Sequence, residues 1–185
     1  MSGMKLENLL LREKTLILEG WFNLVVESYP ADTQDFLKKE KDRFDNPVAY
    51  EFSQGIKGIY EALLYGGMDR DKVSSLLDRI ISIRAIQDFA PSGAVAFIFL
   101  LKKVIREKLE KEVRENGISE ELIELESRID GLALLSFDVY MKRREKLYEI
   151  RVNEVKNRVS GLMRRAGMTS ELEEEPDLKK KKHRI

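Results

Sequence analysis

The most apolar run of the chain, Ala94 to Leu101, lies inside a longer stretch, Leu76 to Leu109, in which two helical patterns meet at Phe89-Ala90-Pro91-Ser92. Before that break, Val73, Leu76, Leu77, Ile80, Ile83 and Ile86 recur at three- and four-residue steps, which puts them on one side of a helix. After it, Val104, Ile105 and Leu109 extend the run beside Lys102, Lys103, Arg106, Glu107 and Lys108. This amphipathic continuation carries the segment past strand length, and Pro91-Ser92 supplies a helix start. A bilayer span needs about 20 apolar residues, so the pattern predicts a buried core helix.

The same periodicity extends outward. Leu6, Leu9, Leu10, Leu16, Ile17, Trp21, Leu24 and Val25 form one stripe, predicting a single long first helix that ends near Tyr29-Pro30, with Trp21 in the core. Asp32 or Thr33 can cap a short helix through Lys41. Asn46-Pro47 then opens a helix to about Tyr65, with Asn46 as cap and Val48, Phe52, Ile56, Ile59, Leu63 and Leu64 on its apolar face. Gly55 and Gly58 within it weaken helix propensity by about 1 kcal/mol each relative to alanine, which points to a close helix crossing or, as the alternative, a ligand approaching the backbone. Gly66-Gly67 ends that helix and Asp69 can cap the next; Asn116-Gly117 ends the central pair, and Ser119 caps a last helix with Glu120 and Glu121 in its first turn.

No proline interrupts this last helix from Ile118 to Glu175. Continuous to about Ala166, it reaches on the order of 70 Å, so part of it is expected to project. Leu125, Ile129, Leu132, Leu135 and Val139 suit packing on the core. From Lys142 to Arg165 there are nine basic and three acidic residues, with Tyr148, Val152, Val155, Val159, Leu162 and Ala166 at steps of 4, 3, 4, 3 and 4. That heptad spacing predicts a partner helix, in a homodimer or on another protein; a solvated extension, or a basic helix on anionic lipid or nucleic acid, are the alternatives. Thr169 to Ile185 separates an acidic block from a basic one and is expected to be disordered. The expected domains are a helical sensor-like domain (1–141), a projecting amphipathic basic helix (142–168) and a charged tail (169–185).

Charge and composition narrow the chemistry. Thirty-three basic and 33 acidic residues cancel over 185 residues, so no global field draws the chain to nucleic acid or membrane. There is no cysteine, which removes disulfides, thiolate nucleophiles and cysteine-ligated metals. The single histidine, His183, lies in the tail, leaving no proximal haem ligand on a core helix and no base for a Ser/His/Asp triad. No Walker loop or dinucleotide fingerprint occurs. The residues therefore predict no enzyme, no cofactor and no metal, and with no signal-peptide core or transmembrane run, a cytoplasmic protein. One polar group stands out. Arg84, Gln87 and Asp88 lie about one turn apart on the isoleucine-rich helix just ahead of Pro91, with Ser92 just after it. A buried charge must be paired, so these residues are expected to fasten the central hairpin, or alternatively to anchor a ligand or partner.

Lys41-Asp42-Arg43-Phe44-Asp45-Asn46-Pro47-Val48, then Arg79 to Ser92 (RIISIRAIQDFAPS), then Phe97-Ile98-Phe99-Leu100-Leu101-Lys102, resemble the N-terminal domain of RsbT co-antagonist protein RsbRD, in order, over roughly Leu9 to Val152. The resemblance implies a dimeric, globin-like helical module that binds no haem and senses signals through protein contacts. In RsbR-type regulators a linker helix passes the signal to a STAS domain, whereas here a charged tail follows, so a stand-alone module docking on a separate partner, or alternatively an assembly factor, is expected. Similarity to small proteins encoded beside membrane redox complexes suggests such a complex as the partner. The combined expectation is an all-α, globin-like bundle with a long projecting C-terminal helix, acting as a homodimeric regulatory module, with no nucleic acid bound. The alternative is a carrier holding an apolar ligand between the Gly55/Gly58 helix and the central pair.

Overall fold

The computed structural model describes residues 5–38, 44, 46–65, 69–86 and 89–166. Among them the fold is all-α, with seven helices: α1 (Leu6–Arg12), α2 (Lys14–Glu27), α3 (Ala31–Lys38), α4 (Pro47–Tyr65), α5 (Arg70–Ile86), α6 (Pro91–Asn116) and α7 (Ser119–Arg165). The tail beyond residue 166, Gly66-Gly67 and the end of the short helix toward Lys41 lie outside the described residues. The chain divides into two compact units, Met1–Glu145 and Lys146–Ile185. α7 runs through both without interruption, as the absence of proline and of a glycine stop allows.

Several starts and stops follow local chemistry. Asn46 Oδ1 accepts the Ala49 amide at 3.0 Å while its Nδ2 donates to the Phe36 carbonyl at 2.7 Å, so one buried side chain caps α4 and ties it to α3. Asp69 Oδ1 accepts the Asp71 amide at 3.1 Å at the start of α5. Gly117, at φ 65°, closes α6 in the left-handed conformation that glycine adopts without a Cβ clash. Several expectations need correction; α3, for one, begins at Ala31, so Asp32 and Thr33 lie inside it rather than capping it. The single long first helix is two, because Glu13 (φ −92°, ψ 10°) leaves the helical region. Helical hydrogen bonds cross the break, Glu13 N–H to Leu9 O and Ile17 N–H to Glu13 O, and no glycine or proline marks it. Leu16, assigned to the buried stripe, is 49% exposed as a result of lying off the core side of α2. Ser119 is already the first residue of α7, so the residue before the helix is Ile118, whose carbonyl accepts the Leu122 amide.

In the first unit α4 packs on α5, α2 on α6, and α3 on both α2 and α4. Trp21 is fully buried; its Nε1–H donates to the Phe97 carbonyl at 2.7 Å and its ring lies nearly parallel to that of Phe97, 6.3 Å between centroids. α7 joins this core through Leu125, Ile129, Ala133, Val139 and Tyr140 and through a row of polar bonds. Arg106 grips Glu126 through two N–H donors (2.5 and 2.7 Å), Lys102 reaches Asp130 at 2.6 Å, Arg143 pairs with Asp78, and Glu121 accepts the Leu6 amide at 2.8 Å. Exposed ion pairs contribute little individually, so these bonds fix the register of α7 while the buried side chains hold it.

The two glycines of α4 mark its crossing with α5. A Cβ on Gly55 would stand 3.0 Å from Ile80 Cγ1, a fully buried branched side chain, and 3.4 Å from the Leu76 carbonyl. A Cβ on Gly58 would meet Leu76 Cδ2 at 2.6 Å, but Leu76 is only half-buried and its tip can swing away. Overpacking costs about 1–3 kcal/mol, against about 1 kcal/mol gained from helix propensity. Gly55→Ala should therefore lower stability by about 1 kcal/mol, and Gly58→Ala should be neutral within about 0.5 kcal/mol. Urea titration of both variants checks this, and equal losses would contradict it.

Candidate functional site

The polar residues singled out on the central hairpin have different fates. Arg84 is completely buried on α5. Gln87 and Asp88 lie outside the described residues. Ser92 is exposed in the first turn of α6, and it is the next residue, Gly93, whose carbonyl accepts Arg84 Nη1–H at 2.8 Å. Arg84 Nη2–H donates to Ser28 Oγ at 2.7 Å, and Ser28 Oγ–H donates in turn to the Val25 carbonyl at 2.6 Å. The guanidinium thereby joins the C-terminal end of α2 to the start of α6. Its planar faces meet aromatic rings: Tyr29 and Phe89 each at 4.8 Å from the guanidinium carbon to the centroid, Phe97 at 5.3 Å. Cation–π attraction of this kind strengthens with desolvation.

Ser28, Tyr29 and Phe89 were not among the residues the sequence pointed to. The available signal was an arginine on an isoleucine-rich face, which requires partners somewhere; the partners sit at two other helix ends, where Tyr29-Pro30 and Phe89-Ala90-Pro91 read only as helix breaks. Burial lowers the Arg84 pKa and raises that of Tyr29, an effect the nearby guanidinium partly offsets. Among the described residues no carboxylate pairs with Arg84, its Nε has no hydrogen-bond partner, and neither has the buried Tyr29 hydroxyl.

The space considered for an apolar ligand between α4 and the central pair is filled at Gly55 and Gly58 by Ile80 and Leu76. Away from that crossing, cavities remain, the first of them between the C-terminal end of α4, the start of α5 and α7. One of about 470 Å³ is bordered by Leu63, Val73, Leu132 and Leu135, with Arg70 and Asp138 at its edge. Another, an open cleft of about 520 Å³, is lined by Ser28, Pro30, Thr33 and Phe89. Among the described residues, no cluster of His, Cys, Asp or Glu is placed to hold a metal ion, and no helix is long and apolar enough to cross a membrane.

The second unit carries the heptad residues. From Lys146 to Ala166 every residue except Leu147 and Gly161 is exposed. Tyr148, Val152, Val155, Val159 and Leu162 are each about half exposed, from 48% at Val159 to 59% at Val155. A regular apolar row on an otherwise charged helix is a surface of the kind that partners cover.

The family model described as the RsbT co-antagonist protein rsbRD N-terminal domain matches residues 16–155. The chain belongs to this family. The match runs from Leu16 in α2 through α6 and the Arg84 cluster to Val155 in α7. Membership suggests a regulatory or sensory role of the stressosome type. No curated protein and no solved structure matches significantly.

Buried hydroxyls set a pH limit on this unit. Tyr60 donates its O–H to the Leu10 carbonyl at 2.9 Å, and burial raises its pKa, as it does that of Tyr29. The folded values lie above the unfolded value of about 10, so the contribution of both groups is intact below about pH 10 and is lost as pH rises through the folded values. Tyr60→Phe should lose about 1 kcal/mol at neutral pH, and its stability should fall less steeply above about pH 10 than that of the parent. Denaturant titrations on either side of that pH check both effects.

Proposed function

We propose that this chain is a non-catalytic regulatory module of the stressosome sensor type, a globin-like helical domain of the cytoplasm that acts through protein contacts made by the second half of α7. The observation that carries the reading is the exposed seam Tyr148, Val152, Val155, Val159 and Leu162. Family membership supports a regulatory role, and the seam supplies a docking face. Its occupants are a second copy of the chain or an acidic helix of another protein; a membrane redox-complex component is the partner suggested by resemblance.

Charge distinguishes the two occupants. Arg144, Arg151, Arg158 and Arg165 recur at seven-residue spacing beside the seam. In an antiparallel pair of identical helices these arginines meet one another, and in a parallel pair Arg151 meets the partner's Lys156, although Arg144 meets the partner's Glu149. A homodimer is therefore held by its apolar row against partial repulsion, which salt screens, whereas an acidic helix gains attraction that salt weakens.

Val152→Glu, Val155→Glu and Val159→Glu together should abolish association and leave the first unit folded. Each valine buried at such a seam is worth about 1.5–3 kcal/mol, so the triple variant should bind at least about 100-fold more weakly. Light scattering and partner recovery across a salt series, with circular dichroism as the folding control, provide the test. Unchanged mass in solution together with unchanged recovery would refute the reading.

A further inference from the structure

A guanidinium presents its Nε–H and Nη2–H side by side, a fork that matches the two oxygens of a carboxylate. This chain uses that fork twice on carboxylates: Arg106 Nε and Nη2 on Glu126, and Arg143 Nε and Nη2 on Asp78. At Arg84 the same fork is only partly used. Nη2 meets the Ser28 hydroxyl, Nε makes no well-formed hydrogen bond among the described residues although the Tyr29 hydroxyl lies close enough to interact with the guanidinium, and Nη1, on the other side, makes the structural bond to the Gly93 carbonyl. A fully buried cation without a carboxylate is costly, and the rings of Tyr29, Phe89 and Phe97 cover its faces without neutralising it.

The fork points at Ser28, and Ser28 is also a wall of the open cleft of about 520 Å³ shared with Pro30, Thr33 and Phe89. That volume lies in the range that holds a small organic ligand. Ser28 and Phe89 thus each touch both the guanidinium and the cleft. We propose that this is a binding site for a small monocarboxylate with an apolar body. The carboxylate takes the Nε and Nη2 donors of Arg84, displacing the Ser28 hydroxyl, and the body of the ligand lies in the cleft against Phe89 and Pro30.

One cation matches one negative charge, and a planar fork matches a planar carboxylate. A phosphate dianion would need further cations or amide donors, and the described residues of the cleft wall are proline, phenylalanine, serine and threonine. The site deepens the sensory reading by naming the class of signal; it rests on that reading for its role, but its occupancy is measured with no partner present.

The test uses the full-length protein and benzoate as the probe, followed through the arginine Nε–H signals in ¹H–¹⁵N spectra. Benzoate should move one of these signals saturably, with half-saturation at about 1 mM or below, and that signal should be the one missing in Arg84→Lys. Binding should be at least about 10-fold weaker in Arg84→Lys, which keeps the charge and loses the fork. Thr33→Trp, which fills the cleft from α3 without touching Arg84, should abolish binding with the fold intact, so the proposal stays testable if the Arg84 variant does not fold. Benzamide and inorganic phosphate should not saturate the site. No saturable response to benzoate, equal binding by benzamide, or binding unaffected by Thr33→Trp would overturn the proposal. Binding seen only in Asp88→Asn would also overturn it, by assigning the fork to the chain's own carboxylate four residues along.

Discussion

The core of the first unit depends on how one buried guanidinium is accommodated. Arg84 stands on an otherwise apolar face of α5, and placing it there requires donors to be met and charge to be spread at a point where three segments converge. The end of α2 supplies Ser28 and Tyr29, the turn into α6 supplies Phe89, and the first two turns of α6 supply the Gly93 carbonyl and Phe97. None of these groups could move far without exposing the charge to an unfavourable surrounding. The break at Pro91 therefore joins two helices and also brings a carbonyl and an aromatic ring to the arginine that precedes it.

Phe89 links this cluster to α7. Its ring lies on Arg84, its amide donates to the Arg84 carbonyl at 3.3 Å, and its own carbonyl accepts the Tyr140 O–H at 2.7 Å. Tyr140 is buried and continues the row of buried side chains, Leu125, Ile129, Ala133 and Val139, that holds α7 on the core. Any change that shifts Phe89 acts directly on the hydroxyl that fixes α7 at this level. The cluster and the last helix are thus mechanically adjacent.

Elements whose chemistry is local were legible in the sequence. Asn46-Pro47, Asp69, Pro91 and Gly117 each act within a turn of where they stand, and the glycine pair of α4 pointed to a close approach to the backbone, which the crossing with α5 supplies. The stripe from Tyr148 to Leu162 was readable for the same reason, since exposure on a single helix needs no knowledge of a neighbour. What escaped depends on groups far apart in sequence. Arg84 and Ser28 are 56 residues apart, Tyr140 and Phe89 51, and only the fold brings them together. The break at Glu13 escaped for another reason: glutamate is a good helix former, and the helical bonding continues across it.

The chemistry of the central cluster also restricts what it can respond to. An arginine, even with its pKa lowered by burial, stays charged across the physiological range, so protonation of Arg84 cannot serve as its switch. The tyrosine beside it is shifted further from neutrality rather than towards it. The only histidine is His183, outside the described residues, and there is no cysteine whose oxidation could be read. With imidazole and thiol switches removed by residue type, a direct way to act on the cluster is to change what touches it. A permanent charge with an incompletely used donor edge suits a response to binding, because its affinity for an anion does not vary with pH while the arginine stays charged and the anion ionised.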